Sequence, residues 1–360
     1  MIFRGNREEA RHSRVLMPVF LSACAIPISM LFWIVNVAYS ILWPDTRNFT
    51  EGFVYPNEKK TFNTRVNIIE HSIILPWRWL AAVVIPSFFL LWGWHKKSVN
   101  VSGAILGLVV GFILTLSSFA HLSALVTFFV TGSKVTKFRS EKKKTFEIDF
   151  KEGGQRSWKQ VLCNGGMATQ LALLYLLDVG SGERPIDFDK EYRSSWLSIG
   201  ILGAFACCNG DTWASELGTV IGTGDPFLIT TRKRVPRGTN GGVSWIGLLS
   251  STIGGLIVGF IYYIVILNTV DTAVLQLAAP QWPVIVVAGF AGLFGSILDS
   301  VLGATLQYSG IDEKGFIVER PGKGVKHICG KQLLDNHSVN LLSSIGIALL
   351  LPRIANIFWP

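Results

Sequence analysis

Long apolar runs alternate with short polar connections along almost the whole chain. The runs are near the ~20 residues that a helix needs to cross the hydrocarbon core of a bilayer. Read as spans, they fall at 16–43, 74–94, 101–116, 118–131, 159–178, 196–222, 241–268, 281–308 and 338–358. The pattern predicts an all-α, polytopic membrane bundle of about nine spans, within a range of about seven to ten, some short or broken. Residues 101–131 form one apolar run interrupted by Ser117, Ser118 and His121. It reads as two short helices or as one tilted helix.

Composition supports the same class. The chain has 360 residues, of which 49% are hydrophobic and 16% charged. A soluble domain carries about 25% charged residues. Between the spans there is no room for a soluble domain of ordinary size. Nothing in the chain predicts nucleic-acid binding. Cys24, Cys163, Cys207, Cys208 and Cys329 have neither metal-ligand spacing nor a readable disulfide framework, so packing is their expected role. The first apolar run is too long for a signal-peptide core and has no clear cleavage site, so it reads as the first span.

Charge sets the expected orientation. Five segments hold 24 of the 33 basic residues: the N-terminus, the turn near 96, 132–159 with nine Lys or Arg, 223–240 and 309–337. Nine spans put all five on one side, and the excess of Lys and Arg marks that side as cytosolic. The count closes only if 101–131 crosses twice or re-enters. The organisation expected is an N-terminal tail with two spans, 1–99, and a core membrane domain, 100–360. Asn48-Phe49-Thr50 is a glycosylation sequon on the far side, which fits the endoplasmic reticulum or another endomembrane. Asn336-His337-Ser338 also matches, on the cytosolic side, where it would be silent.

Polar residues inside the apolar runs carry the candidate chemistry. The span SIGILGAFACCNGDTWASELGTVIGTG, 198–224, holds Asn209, Asp211, Thr212, Ser215 and Glu216 at its centre. An ionisable side chain in a spanning helix costs roughly 2.5–3.5 kcal/mol on insertion scales. Two carboxylates within six residues therefore call for cations, a metal or a water-filled cavity. On a straight helix Asp211 and Glu216 stand about 140° apart and do not face one point, unless Gly210 opens the helix. Carboxylates that only bridge helices are the plain alternative.

The loop TRKRVPRGTNGGV, 231–243, follows. Gly238, Gly241 and Gly242 allow tight turning, and the loop opens a span, where backbone amides bind anions. Arg232, Lys233, Arg234 and Arg237 add charge, although a positive-inside cluster alone would explain the arginines. Asn164, Gly165 and Gly166 open another span, after a basic stretch with Lys134, Lys137 and Arg139. Close helix packing explains that Gly-Gly pair equally well. In GSILDSVLGATLQ, 295–307, the residues Ser296, Asp299, Ser300, Gly303 and Gln307 form one polar face. Asp335, Asn336 and Asn340 open the final span. Carboxylates, cations and glycine-rich helix starts thus converge on one membrane face. Carboxylates hold Mg²⁺, while Lys, Arg and amides hold phosphate oxygens. Phosphoryl transfer needs that combination. No Walker or protein-kinase signature is present.

At these residues the chain resembles a known family. The carriers are N-G-D-T-W-A-S-E-L-G at 209–218, P-R-G-T-N-G-G-V-S at 236–244, L-D-S-x-x-G-A-x-x-Q at 298–307 and C-N-G-G at 163–166. They are similar to the transmembrane protein 19 family of polytopic membrane proteins, long known only as a domain of unknown function. That family includes the plant and cyanobacterial phytyl-phosphate kinase, and it resembles the phytol and dolichol kinases more distantly. The resemblance implies phosphoryl transfer from a nucleoside triphosphate, CTP or ATP, to an isoprenoid monophosphate. In that reading Asp211, Glu216 and Asp299 hold Mg²⁺ and carry catalysis. Lys134, Lys137, Arg139, Arg232 and Arg237, with Gly238, Gly241 and Gly242, bind phosphates and nucleotide, and Asn164, Asn209 and Asn240 orient oxygens. A transporter of a lipid phosphate or other anion and a non-catalytic membrane scaffold are the alternatives.

Overall fold

A computed structural model of the chain describes residues 76–138, 155–222 and 224–360, together with Leu31, Ile34 and Ile74. Its helices are α1 (Pro76–His95), α2 (Val101–Ser117), α3 (Phe119–Lys137), α4 (Trp158–Asp178), α5 (Tyr192–Ile221), α6 (Trp245–Thr269), α7 (Thr272–Leu277), α8 (Pro283–Leu306) and α9 (Asn336–Phe358). Every span expected from 74–94 onward coincides with a helix. The expected first span, 16–43, lies outside the described residues apart from Leu31 and Ile34. By length and hydropathy, α1, α4, α6, α8 and α9 can each cross a membrane.

The ambiguous run is two helices. The chain breaks at Ser118, whose N–H closes α2 on Leu114 O and whose hydroxyl accepts from Ala120 N to open α3. Glu183, on the connection from α4 to α5, fixes the break. Its Oε1 accepts the Phe119 N–H at 2.8 Å and pairs with Arg78 Nη2 at 2.8 Å. A carboxylate at a helix N-terminus meets the amides and the positive end of the dipole. Asn100, before α2, and Lys137, at the end of α3, line the same cavity. The segment therefore leaves that end of the bundle and returns to it.

α5 is the central strut and touches α3, α4, α6, α8 and α9. It is buried continuously from Ser194 to Gly210. Small residues let its neighbours come close. A Cβ added at Gly210 would lie 2.6 Å from Gly292 Cα on α8. The expected opening of the helix at Gly210 is corrected: α5 runs unbroken through it to Ile221, and the glycine serves backbone-to-backbone packing instead. Gly210→Ala is therefore expected to lower the melting temperature in detergent, since overpacking costs about 1–3 kcal/mol. An unchanged melting curve would mean that α5 and α8 part without cost.

The all-α expectation holds for the spans, but the connections carry short strands. β1 (Phe227–Leu228) pairs antiparallel with β2 (Gly242–Val243). β3 (Ser309–Ile311) is the central strand between β4 (Ile317–Val318) and β5 (Lys326–Cys329). Leu228, Val235, Ala304 and Cys329 form a small second core beneath them. This core ties the 225–243 connection to the end of α8.

Candidate active site

The ends of α3, α4, α5, α8 and α9 meet around a cavity of about 810 Å³. Small-molecule sites are commonly of about 300–1,000 Å³. Two of its helices bring carboxylates. α5 supplies Asp211 and Glu216, and α8 supplies Asp299. The Ser296 hydroxyl donates to Asp211 Oδ1 at 3.4 Å, and the Ser343 hydroxyl donates to Asp299 Oδ2 at 3.4 Å. Oriented to satisfy both of its ends, the Asn340 amide donates to Asp299 Oδ2 at 3.1 Å and to Asn336 O at 2.9 Å. Asp211 and Asp299 are near enough to feel each other's charge. Asp211 and Glu216 stand on different stripes of α5, yet both line the cavity, because it wraps around the last turns of that helix. Among the described residues, no group of three or more His, Cys, Asp or Glu is gathered closely enough to hold a metal ion. Glu216 stands instead in the field of Arg156.

The glycine-rich loop forms the floor. Gly238 and Gly241 have φ of 86° and 77°, a region that side chains other than glycine rarely adopt. A Cβ on Gly241 would also collide with Ala304 of α8. The Asn240 N–H donates to Ser309 Oγ at 3.1 Å, and its side chain donates to Tyr308 O at 3.4 Å. The loop is thus tied to β3 and held close against α8. Gly242 also lines the cavity, and Ser244 caps α6 by accepting from Gly247 N at 3.1 Å.

The cations divide. Arg237 lines the cavity, and its guanidinium donates to Thr219 O at 3.2 Å and to Gly222 O at 2.8 Å. Those carbonyls are the open end of α5, where a cation is favourable. Arg237→Ala is therefore expected to lower the melting temperature as well as to raise a phosphate ligand's KM. A kinetic change without any thermal change would separate the two roles. Lys137 lines the cavity too, with its ammonium on Ser98 Oγ at 2.9 Å and on Lys96 O.

Several expected site residues fall elsewhere. Lys134 and Arg232 are exposed and do not line the cavity. A helix surface and a turn tip place them there, despite their proximity in sequence. Arg139 lies outside the described residues. Asn209 is fully buried. Its amide donates to Gly254 O at 2.8 Å and accepts from Thr131 Oγ1 at 2.9 Å, so it fastens α5 to α6 and α3. Asn164 does line the cavity, beside Asn340.

Arg156 is the residue that the sequence hid. It was one of nine cations between 132 and 159. It lines the cavity just ahead of α4. Its Nη1 donates to Ser133 Oγ at 2.6 Å, and its guanidinium lies over Phe128 and Phe129, at 5.3 and 5.7 Å from the ring centroids. Its backbone is clamped as well: the N–H donates to Ser98 O at 3.0 Å, and the carbonyl accepts from Asn100 N at 3.1 Å. Burial pulls its pKa down to about 10 while Glu216 pulls it up, so it remains cationic at neutral pH. The only signal in the sequence was its place two residues before a span, in Q-R-S-W. Glu319, beyond β4, also reaches the cavity and was not expected there.

Apolar helices enclosing a charged cavity at one end of the bundle define a multi-pass integral membrane protein. The chain belongs to the integral membrane protein family DUF92, whose pattern matches residues 84–348. It is 42% identical to the Protein PGR of Arabidopsis thaliana over 78% of this chain and 97% of that one. It is 34% identical to an uncharacterized membrane protein of Synechocystis over 67% of this chain and 84% of that one. It is 29% identical to the chloroplastic protein VTE6 of Arabidopsis thaliana over 58% of this chain and 57% of that one. No solved structure matches the chain. The family expected from the motifs is therefore the family found.

Proposed function

We propose that the protein is a lipid-phosphate kinase. It transfers the γ-phosphoryl group of a nucleoside triphosphate, CTP or ATP, to an isoprenoid monophosphate at the cytosolic end of an endomembrane bundle. One observation carries the reading: the paired carboxylates Asp211 and Asp299, the glycine-rich loop 238–242 and Arg156 share one cavity. The motif resemblance to the phytyl-phosphate kinase family and the match to VTE6 support it.

The donor set suits Mg²⁺, which usually takes one or two carboxylates plus water and substrate phosphates. Asp211 and Asp299 would hold it, with the Ser296 and Ser343 hydroxyls and the Asn340 amide steadying their oxygens. Bound there, the ion supplies charge neutralisation on the transferred phosphoryl group. The chain's own residues do the rest. The glycine-rich turn, held in place by Asn240 on Ser309 and Tyr308, presents backbone amides to the nucleotide phosphates. Arg156 holds the acceptor phosphate. That phosphate is already ionised, so its oxygen attacks without a strong general base. The bond to the β-phosphate oxygen breaks, the nucleoside diphosphate leaves, and an isoprenoid diphosphate forms. Positioning and electrostatics supply the acceleration.

Purified protein with labelled nucleotide and prenyl monophosphates tests the reading. Magnesium-dependent label in a prenyl diphosphate is the expected result. Absence of turnover, together with phosphate counterflow in liposomes, would overturn it in favour of transport.

A further inference from the structure

On the side of α1–α4 the polar cavity shares part of its wall with another space. A second, narrow cleft of about 60 Å³ opens there, and its lining is almost wholly apolar. Leu90, Val110, Leu122 and Leu125 stand along it, and Pro86 closes it on α1. Space for it comes from α2, where Gly103, Gly107 and Gly111 follow one another at every fourth position along the wall. Arg156, Gln160 and Asn164 line both spaces. A ligand lying across that seam has an anionic end at Arg156 and an apolar end between the helices. At about 60 Å³ the cleft is small beside the polar cavity of about 810 Å³.

We propose that this cleft seats the hydrocarbon chain of the acceptor, so that the site selects single-chain lipid monophosphates over two-chain lipids such as phosphatidic acid. The proposal rests on the kinase reading for the fate of the phosphate, but not for the seating of the chain. Gly107 is the position that sets usable depth. A Cβ there would lie 3.0 Å from Leu90 Cδ2, the flexible end of a side chain, so a larger residue can be accommodated by intruding on the cleft. Gly103 and Gly111 face backbone or a proline ring and offer no such freedom.

The test has two arms. In the first, wild-type protein is labelled in vesicles of phosphatidylcholine with a single-chain alkyl monophosphate bearing a diazirine at its chain end. Labelling at Leu90, Val110 or Leu125, displaced by unlabelled alkyl monophosphate but not by phosphatidic acid, is expected. Labelling on lipid-facing Ile105 or Phe88 alone, or labelling that no phosphate displaces, would overturn the proposal and mark the cleft as a seat for bulk lipid. In the second arm, Gly107→Leu is assayed with prenyl monophosphates of one and four isoprene units. Loss of a few buried methylene contacts predicts about a tenfold rise in KM for the longer chain, with the shorter chain and the nucleotide little changed. Equal effects on both chains would overturn the proposal. If Gly107→Leu does not fold, the first arm decides alone. Competed labelling in the cleft without any turnover would leave the chain seat standing and remove the kinase reading.

Discussion

Asp211→Asn protein is expected to fold, insert and lose phosphoryl transfer by a factor of about 10²–10³, the scale of removing one preorganised electrostatic group from a site. Asp211 sits on α5, the central helix packed among the apolar spans, where a carboxylate is costly unless something uses its charge. Its hydrogen-bond partner among the described residues is the Ser296 hydroxyl, at 3.4 Å. Its charged neighbour across the gap is Asp299, of like sign. That arrangement separates two explanations. A structural carboxylate would neutralise a buried cation, and an asparagine there would strand the cation and lower stability. A site carboxylate next to another is under repulsion until a cation arrives. Its replacement by asparagine then leaves the melting temperature level or raises it, and weakens any stabilisation by added Mg²⁺. Turnover and melting of wild type and variant, each with and without Mg²⁺, measure both. Wild-type turnover in the variant would remove Asp211 from the site. A large loss of stability would mark it as a structural residue.

How much of this was readable beforehand differs between fold and site. Span positions were legible because hydropathy over some twenty residues depends on composition alone. The charge count required 101–131 to cross twice or re-enter; the structure shows two helices there, and the Glu183 contacts at Ser118 and Phe119 supply the physical cause of the break. The convergence of motifs on one end was legible too: Asp211, Asp299, Arg237, Gly241 and Asn340 do line one cavity. What failed was the assignment of direction. Helical spacing says which residues share a stripe, not which stripe faces the cavity. Asn209 and Asp211 are two residues apart, yet one ties three helices together and the other lines the site. The opening of the helix at Gly210 is expected from sequence because broken helices at membrane depth line cavities. The partner that explains the glycine, Gly292, is 82 positions away and invisible to any local rule. Lys134 and Arg232 were chosen for charge, and charge near a membrane end is mostly an orientation signal. The short strands were missed since two- to four-residue pairings leave no periodicity to read.

The same limitation concealed Arg156, whose replacement should show most clearly where the acceptor binds. Arg156→Ala is expected to lower kcat/KM for the prenyl monophosphate by about one to two decades, the worth of roughly 1.5–3 kcal/mol for a hydrogen bond to a charged group. The effect should fall on the acceptor's KM and leave that of the nucleotide nearly unchanged, since Arg156 stands on the wall next to the apolar cleft and the glycine-rich loop is contributed by another segment. Arg156→Lys should recover only part of the loss. A lysine restores the charge, but it does not restore the planar fork that reaches Ser133 at 2.6 Å while lying over Phe128 and Phe129. The substitution also takes a cation away from Glu216, so the melting temperature of each variant is measured beside its kinetics, with Glu216→Gln as the reference for that neighbour. If Arg156 serves only to clamp the start of α4, the variants will melt earlier while the folded fraction turns over with unchanged KM for both substrates. That outcome would detach the acceptor from this wall of the cavity. If instead KM for the acceptor rises in the order Lys, then Ala, at little thermal cost, the phosphate lies against Arg156, next to the mouth of the cleft between α1 and α4.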